Sequence, residues 1–373
     1  MNKNGSRSLV IAILFLFFAI FLWWHSTPQQ ATLEEEASSN RRKDVLQYEQ
    51  ETGEKQPKSV QYLVTHYDQD ATWITNLDAT DSSNHILRLH GVENIYTLTS
   101  GFLLPEIDGE KAALLDQDGR LIKSITFSKP ATHHVAEFRD KIYVLSQPHS
   151  LKSSIGVYDA SFHLLKESQE FPGMPSKFFI HDDTIYLLTT GVGLITDTKD
   201  QVRLSAIKVD TLQEIGSTIV PDMMAAVELR VFEDRLAVYG CDEEGTLLIS
   251  LHDLSLKESN RYRLDEGNGW VSKVIQDDSL QYVVVGSSIL LLDESFQIKA
   301  AFTKNDLIIK DAKLTPYGLC ILGTMMQGGE DYFAVLDPKT LHLIGPDSLL
   351  QPRILQLGFR QGAMMPSRFW SIE

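Results

Sequence analysis

The sequence has no surplus of positive charge and few recognisable chemical motifs, and both absences exclude classes of function. Its 50 acidic and 34 basic residues give a net charge of -16. Such a chain repels phosphate backbones, so we exclude nucleic acid as a partner. The chain contains no G-x-S-x-G elbow, no H-E-x-x-H pair and no glycine-rich phosphate loop. We therefore predict no cofactor and no metal site.

The chain has one long hydrophobic run, and it lies near the N-terminus. Leu9 to Trp24 is a run of sixteen apolar residues. Lys3 and Arg7 precede it and three glutamates follow, which predicts a signal-anchor with the N-terminus in the cytoplasm. No small-x-small cleavage site follows the run, although a cleaved signal peptide is the alternative.

This segment sets the predicted domain organisation and location. Residues 1–8 form a cytoplasmic N-terminus, 9–24 a transmembrane helix, 25–59 a polar stalk and 60–373 an extracytoplasmic domain. The predicted protein is thus a single-pass protein of the cell membrane. Its expected partners are an unknown envelope protein or glycan.

One unit recurs from residue 60 onward: an apolar strand that ends in aspartate, then a turn and a second strand. The seven aspartates are separated by 38, 43, 51, 43, 40 and 44 residues; they are Asp78, Asp116, Asp159, Asp210, Asp253, Asp293 and Asp337. A further hairpin lies upstream in every unit but the first, so a complete unit has four short strands, which we name A, B, C and D. Seven such units predict an all-β, seven-bladed β-propeller.

The first unit lacks an A strand, and the end of the chain supplies a candidate for it. The final PSRFWSIE matches PSKFFIHD, the A strand that begins at Pro175, and it stops where the turn to strand B is expected. We therefore predict that the last strand pairs with the strand around Tyr62, closing the ring without a free edge.

The Asp–turn–strand unit, with FAVLDPKTLHLIG as its best example, resembles the repeats of quinoprotein-like and YVTN-like bacterial propellers. The resemblance covers residues 60–373 and implies a fold but no activity.

The repeats also assign roles to the aspartates and the two cysteines. Each aspartate is predicted to accept hydrogen bonds from amides of its turn, which is a structural role. Cys241 and Cys320 fall in the B strands of units five and seven. A whole unit separates them, so we predict two buried free thiols.

The connections differ in length between the two ends of the strands. The A–B and C–D turns are short, whereas the B–C and D–A connections are long and are predicted to form the binding face. The longest of these are 146–154, 189–203, 323–331 and 345–367.

Methionines concentrate in these long connections. Six of them form three pairs: Met223–Met224, Met325–Met326 and Met364–Met365. Three interpretations stay open: gap-filling near the channel, an adaptable contact surface, or a copper(I) site assisted by His133 and His134. Trp270 on the same face is either a stacking platform or a plug between blades. Acidic residues on this rim, such as Asp242 and Glu243, are either a solvated surface or a site for a basic partner.

We therefore predict a binding or protein-interaction module that recognises its partner through the B–C and D–A face. One alternative is an enzyme, namely a lyase, a hydrolase or a sugar-processing propeller, with His133, His134, Arg353 and Arg360 as candidate residues at the channel mouth. The other is an extracytoplasmic sensor that signals through a membrane partner.

Overall fold

The computed structural model describes residues 94–344, except 107–108, 117–120, 150, 192–200, 233, 278, 316–317 and 328–330. It also describes the backbone of four strands near the two ends of the chain. The predicted membrane segment and stalk lie outside these residues. Nowhere in the described part is a helix long and apolar enough to cross a membrane.

The described chain forms 28 strands in seven sheets, numbered here in chain order. Sheet 1 contains β1 (Gln61–Tyr67), β2 (Thr72–Asn76) and β3 (His85–Leu87). Sheet 2 contains β4 (Tyr96–Leu98), β5 (Gly101–Pro105), β6 (Lys111–Leu115) and β7 (Leu121–Thr126). Sheet 3 contains β8 (Thr132–Phe138), β9 (Lys141–His149), β10 (Lys152–Tyr158), β11 (Leu164–Glu167) and β12 (Phe171–Pro172). Sheets 4 and 5 contain β13 (Met174–His181), β14 (Thr184–Thr190), β15 (Val202–Lys208) and β16 (Glu214–Val220); β17 (Ala225–Phe232), β18 (Arg235–Cys241), β19 (Thr246–Asp253) and β20 (Glu258–Asn268). Sheets 6 and 7 contain β21 (Val271–Asp277), β22 (Leu280–Val285), β23 (Ser288–Leu292) and β24 (Ile298–Thr303); β25 (Leu307–Thr315), β26 (Gly318–Met325) and β27 (Asp331–Leu336), and the final strand β28 (Pro366–Ile372) joins sheet 1.

Each sheet is an antiparallel meander, and in sheets 2 to 7 the described residues are more buried in the middle strands than in the outer strands. The middle strands are buried on both faces, as in β23, where all five residues are buried. The outer strand β24 instead alternates half-buried and exposed residues. A strand covered by neighbouring sheets on both faces is continuously apolar, whereas an edge strand shows the two-residue period.

Five apolar cores join sheets 2 to 7 in order, each formed by two neighbouring sheets. The first strands of these sheets also contact one another in sequence, which places them around a common centre. The molecule is thus an all-β propeller with six packed blades. The sequence predicts seven; the difference is sheet 1, whose side chains lie outside the described residues.

The predicted pairing of the two chain ends is confirmed in the backbone of sheet 1. Strand β28 runs antiparallel to β1, with Tyr62 opposite Ser371 and Leu63 opposite Trp370. Strands β28 and β25 of sheet 7 are also in contact. The last strand therefore completes the sheet that the first strand begins.

The predicted role of the repeat aspartates is confirmed in four turns. Asp159, Asp253, Asp293 and Asp337 each accept two hydrogen bonds from turn amides at 2.8–3.0 Å. The amide of Thr340 is the main cause of a lowered pKa at Asp337. These carboxylates therefore hold the shape of their own turns.

The same turns show a repeated feature that the sequence did not predict. Each places one apolar residue at positive φ and buries it beneath the turn: Phe162, Leu256, Phe296 and Leu341. Positive φ is unfavourable for such side chains. Burial of the side chain offsets that cost, so each turn is fastened by one carboxylate and one apolar residue.

Two predicted elements are wrong. Residues 146–154 are not a long loop. Strand β9 continues to His149 and β10 begins at Lys152, and Lys152 and Ser153 of β10 also pair with β12. The last unit has no D strand in its described part: Leu343 makes only an isolated bridge to Leu336.

Both cysteines are free and buried, as predicted. Cys241 ends β18 in sheet 5 and Cys320 lies in β26 of sheet 7. Burial raises the pKa of the Cys241 thiol, which makes it a poor nucleophile.

Candidate functional site

A cleft of about 250 Å³ opens where sheets 4 and 5 meet on the B–C and D–A face, which we call the loop face. The connection Pro221–Met224 from β16 to β17 forms its floor. Its walls are Gln201, Ile219 and Val220 of sheet 4 and Glu243 of sheet 5. The cleft thus combines apolar surface with acidic groups at its rim.

The two methionines of this cleft have different environments. Met223 is 2% exposed and packs into the core between sheets 4 and 5. Its sulfur lies so close to Gly240 that a Cβ atom there would stand 2.6 Å from it. Met224 is half-buried, and its amide donates to the carbonyl of Cys241 at 2.9 Å. Met223 therefore fills a gap, whereas Met224 remains partly open to a ligand.

The next connection along the loop face presents Trp270 to solvent. This side chain is 60% exposed, so it is not a plug between blades. Close glycine packing holds the segment: the Gly269 amide donates to Gly245 O at 2.9 Å, and a Cβ atom on Gly269 would lie 3.1 Å from the Cα atom of Gly286. The positive φ of 129° at Gly269 also favours glycine. The backbone beneath Trp270 is thus tightly fixed.

Acidic residues of the same rim surround one arginine. Arg263 contacts Asp242 at 2.8 Å, Glu244 at 2.9 Å and Asp265 at 3.4 Å. Asp242 is nine-tenths buried and accepts hydrogen bonds from the amides of Glu244 and Thr246. The turn between β18 and β19 is thereby held in one shape, with Glu243 and Glu244 exposed at its tip.

The other predicted binding residues are distributed more widely. Met325 ends β26, half-buried against the core of sheets 6 and 7, and Met326 beside it is 55% exposed. Met174 begins β13, so not every methionine lies in a connection. Met364, Met365, Arg353 and Arg360 lie outside the described residues.

His133 and His134 lie in β8, the inner strand of sheet 3, away from the cleft. The Nε2 atom of His133 is 3.0 Å from Gln147 Oε1, and its carbonyl accepts a hydrogen bond from the Tyr96 hydroxyl at 2.7 Å. His134 packs edge-on between the rings of Tyr96 and Phe178. Burial is the main cause of its strongly lowered pKa, with smaller effects from the nearby Lys177 and Arg230.

His134 occupies a position that recurs in the inner strands of sheets 4 to 7. It lies four residues before the end of its strand and directly after a shift in pairing register, that is, a β-bulge. The equivalent residues in sheets 4 to 7 are Lys177, Glu228, Lys273 and Asp311, each also following a register shift. We name this set the channel ring. By register alone, Arg368 holds the same position in β28.

The charges of the channel ring are paired between neighbouring sheets. Lys177 contacts the 4% exposed Glu228, and Arg230 lies 3.3 Å from the same carboxylate. Lys273 contacts the fully buried Asp311 at 2.6 Å. Arg230 also donates to the carbonyl of Val274 at 2.7 Å, which links sheet 5 to sheet 6.

Sequence reasoning missed the channel ring, although a signal was present. The segments PSK and PSR begin the two matched A strands. Their last residues, Lys177 and Arg368, hold channel-ring positions. Aligning all inner strands on their turns would have shown one polar residue at each equivalent place. No group of three or more metal-ligating side chains occurs within the described ranges, and the two histidines do not approach the methionines of the cleft.

Comparison with solved structures identifies the same architecture. The computationally designed protein Ika8 is 12% identical, with coverage of 78% of this chain and 84% of that chain and a TM-score of 0.55. The C-terminal WD40 domain of Sif2 is 11% identical, with coverage of 78% and 85% and a TM-score of 0.53. Sqt1 of Saccharomyces cerevisiae is 12% identical, with coverage of 74% and 83% and a TM-score of 0.51.

No protein-family model and no curated protein matches the chain, so the likeness to quinoprotein-like and YVTN-like repeats rests on the sequence pattern alone. Identities this low carry the fold and nothing finer. The chain is a β-propeller in fold.

Proposed function

We propose that this protein is a binding module that captures a macromolecular partner on its loop face. The cleft between sheets 4 and 5 is the observation that carries the proposal. Preformed concave surface with apolar walls and a few polar groups is the usual form of a recognition site. Exposed Trp270 and Met326 on the same face add contact area of the kind that interfaces favour.

We also propose a location for the protein and a seventh blade that closes the ring. The hydrophobic run Leu9–Trp24 anchors the protein in the cell membrane, and the propeller lies on the extracytoplasmic side. Sheet 1 is the seventh blade, joined by both ends of the chain. The partner is an envelope protein or glycan, and the segment 345–367 contributes to its capture.

Affinity capture from cell-envelope extract tests the proposal. The full chain is compared with the variants Met224→Ala and Trp270→Ala, and with the control Leu165→Ala. Leu165 is 54% exposed on the outer strand β11, remote from the loop face. We expect both loop-face variants to lose a partner that the control retains. Equal capture by all of them would contradict the assignment of the loop face.

A further inference from the structure

The loop face of sheet 5 carries a continuous surface that specifies the chemistry of a partner. Glu243 lines the cleft, and its turn continues to Gly245. Gly245 accepts the hydrogen bond from Gly269, the residue before Trp270. The acidic turn therefore lines the cleft through Glu243 and is hydrogen-bonded through Gly245 to the segment that carries Trp270.

Carboxylates outnumber cations on this surface. Around the turn and the end of β20 lie Asp242, Glu243, Glu244, Asp265 and Glu266, which we name the acidic patch. Arg263 is shared among three of them. Its guanidinium carries one positive charge against the three carboxylates that it contacts, in a protein whose net charge is already -16. A negative surface of this kind attracts and orients cationic partners.

Trp270 and the cleft add two further recognition elements. The face of an exposed indole is the best aromatic site for a lysine or arginine cation, and neighbouring carboxylates strengthen that preference. Half-buried Met224 and Ile219 offer an adaptable apolar surface for one side chain. The two elements lie on opposite sides of the acidic turn.

We infer that the loop face of sheet 5 binds a basic polypeptide segment, with an apolar side chain in the cleft and a cationic side chain over Trp270. This inference rests on the proposed function and names the partner's chemistry. Affinity depends on the acidic patch and falls with ionic strength, because exposed charges are screened by salt.

A direct binding experiment tests the inference without a known partner. The probe is a fluorescein-labelled heptapeptide of lysines around a central leucine, titrated with the full chain in detergent and followed by fluorescence anisotropy. Two matched peptides replace the leucine by serine or all lysines by glutamate. We expect the lysine–leucine peptide to bind, the serine peptide to bind more weakly and the glutamate peptide not to bind. Raising salt from about 50 mM to about 300 mM weakens binding.

Variants localise the effect. Glu243→Gln combined with Glu244→Gln, and separately Trp270→Ala, each lower affinity by about tenfold. The control is Asp140→Asn with Asp182→Asn, which removes the same number of charges from A–B turns at the opposite end of the strands. Both control residues are exposed and have positive φ, a conformation that asparagine also adopts. The control retains full affinity.

Three results would overturn the inference: no binding of the lysine–leucine peptide, equal binding of the glutamate peptide, or equal losses in patch and control variants. They leave the proposed function standing if capture of an envelope partner still requires Met224 and Trp270. Insensitivity of that capture to both residues would instead refute the proposed function itself.

Discussion

The channel ring and the acidic patch both concentrate charge, yet the molecule uses that charge differently. In the channel ring, Glu228 and Asp311 are buried and each contacts a lysine of the preceding sheet. In the acidic patch, Glu244 and Asp265 have side chains that are 78% and 82% exposed and share one arginine. Buried charges require partners, whereas exposed ones remain available to a ligand.

This difference between buried and exposed charges bears on the alternative function, an enzyme with its site at the channel mouth. Titratable side chains do converge from several inner strands, as a catalytic channel would require. Their contacts, however, run from sheet to sheet: Lys177 to Glu228, Arg230 to Val274 and Lys273 to Asp311. The channel ring therefore fastens neighbouring blades, and the loop face is the better place for recognition.

The largest effect is expected from removal of β28, the final strand, in which Arg368 holds the channel-ring position by register. Ending the chain after Met365 removes β28 and leaves β1 without its partner strand. We expect the cooperative unfolding transition to be lost, because the edge of β1 that β28 covers is left open. Thermal unfolding followed by circular dichroism measures this.

Addition of the peptide PSRFWSIE to the truncated protein should restore the transition in part. A truncated chain that melts like the full one would show that sheet 1 is dispensable, and that the channel ring ends at sheet 7.

A second experiment makes the same substitution in both regions of sheet 5. Glu228→Gln leaves the cations of Lys177 and Arg230 without their carboxylate, and removing one partner of a buried pair costs about 3–5 kcal/mol. Glu243→Gln at the exposed tip of a turn should change stability by less than about 0.5 kcal/mol. Urea unfolding of both variants gives the comparison directly. Similar urea midpoints for the two variants would show that the buried and the exposed carboxylate contribute alike to stability.

Sequence reasoning succeeded where a signal repeats locally and failed where it is spread along the chain. The Asp–turn unit is contiguous, so its hydrogen bonds could be predicted and are seen at Asp159 and Asp337. The end-joined sheet was predicted because two eight-residue segments match. The channel ring has one residue per blade, separated by some forty positions, and no local pattern distinguishes Lys177 from a surface lysine.

The acidic patch was partly predictable for a similar reason. Asp242, Glu243 and Glu244 are consecutive and stand out in the sequence. Arg263, nineteen residues from Glu244, joins them only through the pairing of β19 with β20. The exposure of Trp270 depends on glycines from three connections, which sequence spacing does not reveal.

The smallest effect concerns pH and separates His134 from the charged members of the channel ring. The pKa of His134 is lowered in the folded protein, chiefly by burial, whereas a histidine in the unfolded chain has a pKa of about 6.5. Below that pH the unfolded chain binds a proton that the folded chain does not, so stability falls as the solution is acidified. His134→Asn replaces the imidazole by a polar side chain that does not titrate, and it removes this part of the acid sensitivity. The drop in melting temperature between pH 7.5 and pH 5.5 should therefore be smaller in His134→Asn than in the unmodified protein. His342→Asn, at an exposed histidine, serves as the control and should keep the full drop. An unchanged drop in His134→Asn would mean that other groups cause the acid sensitivity and that His134 contributes only its packing against Tyr96 and Phe178.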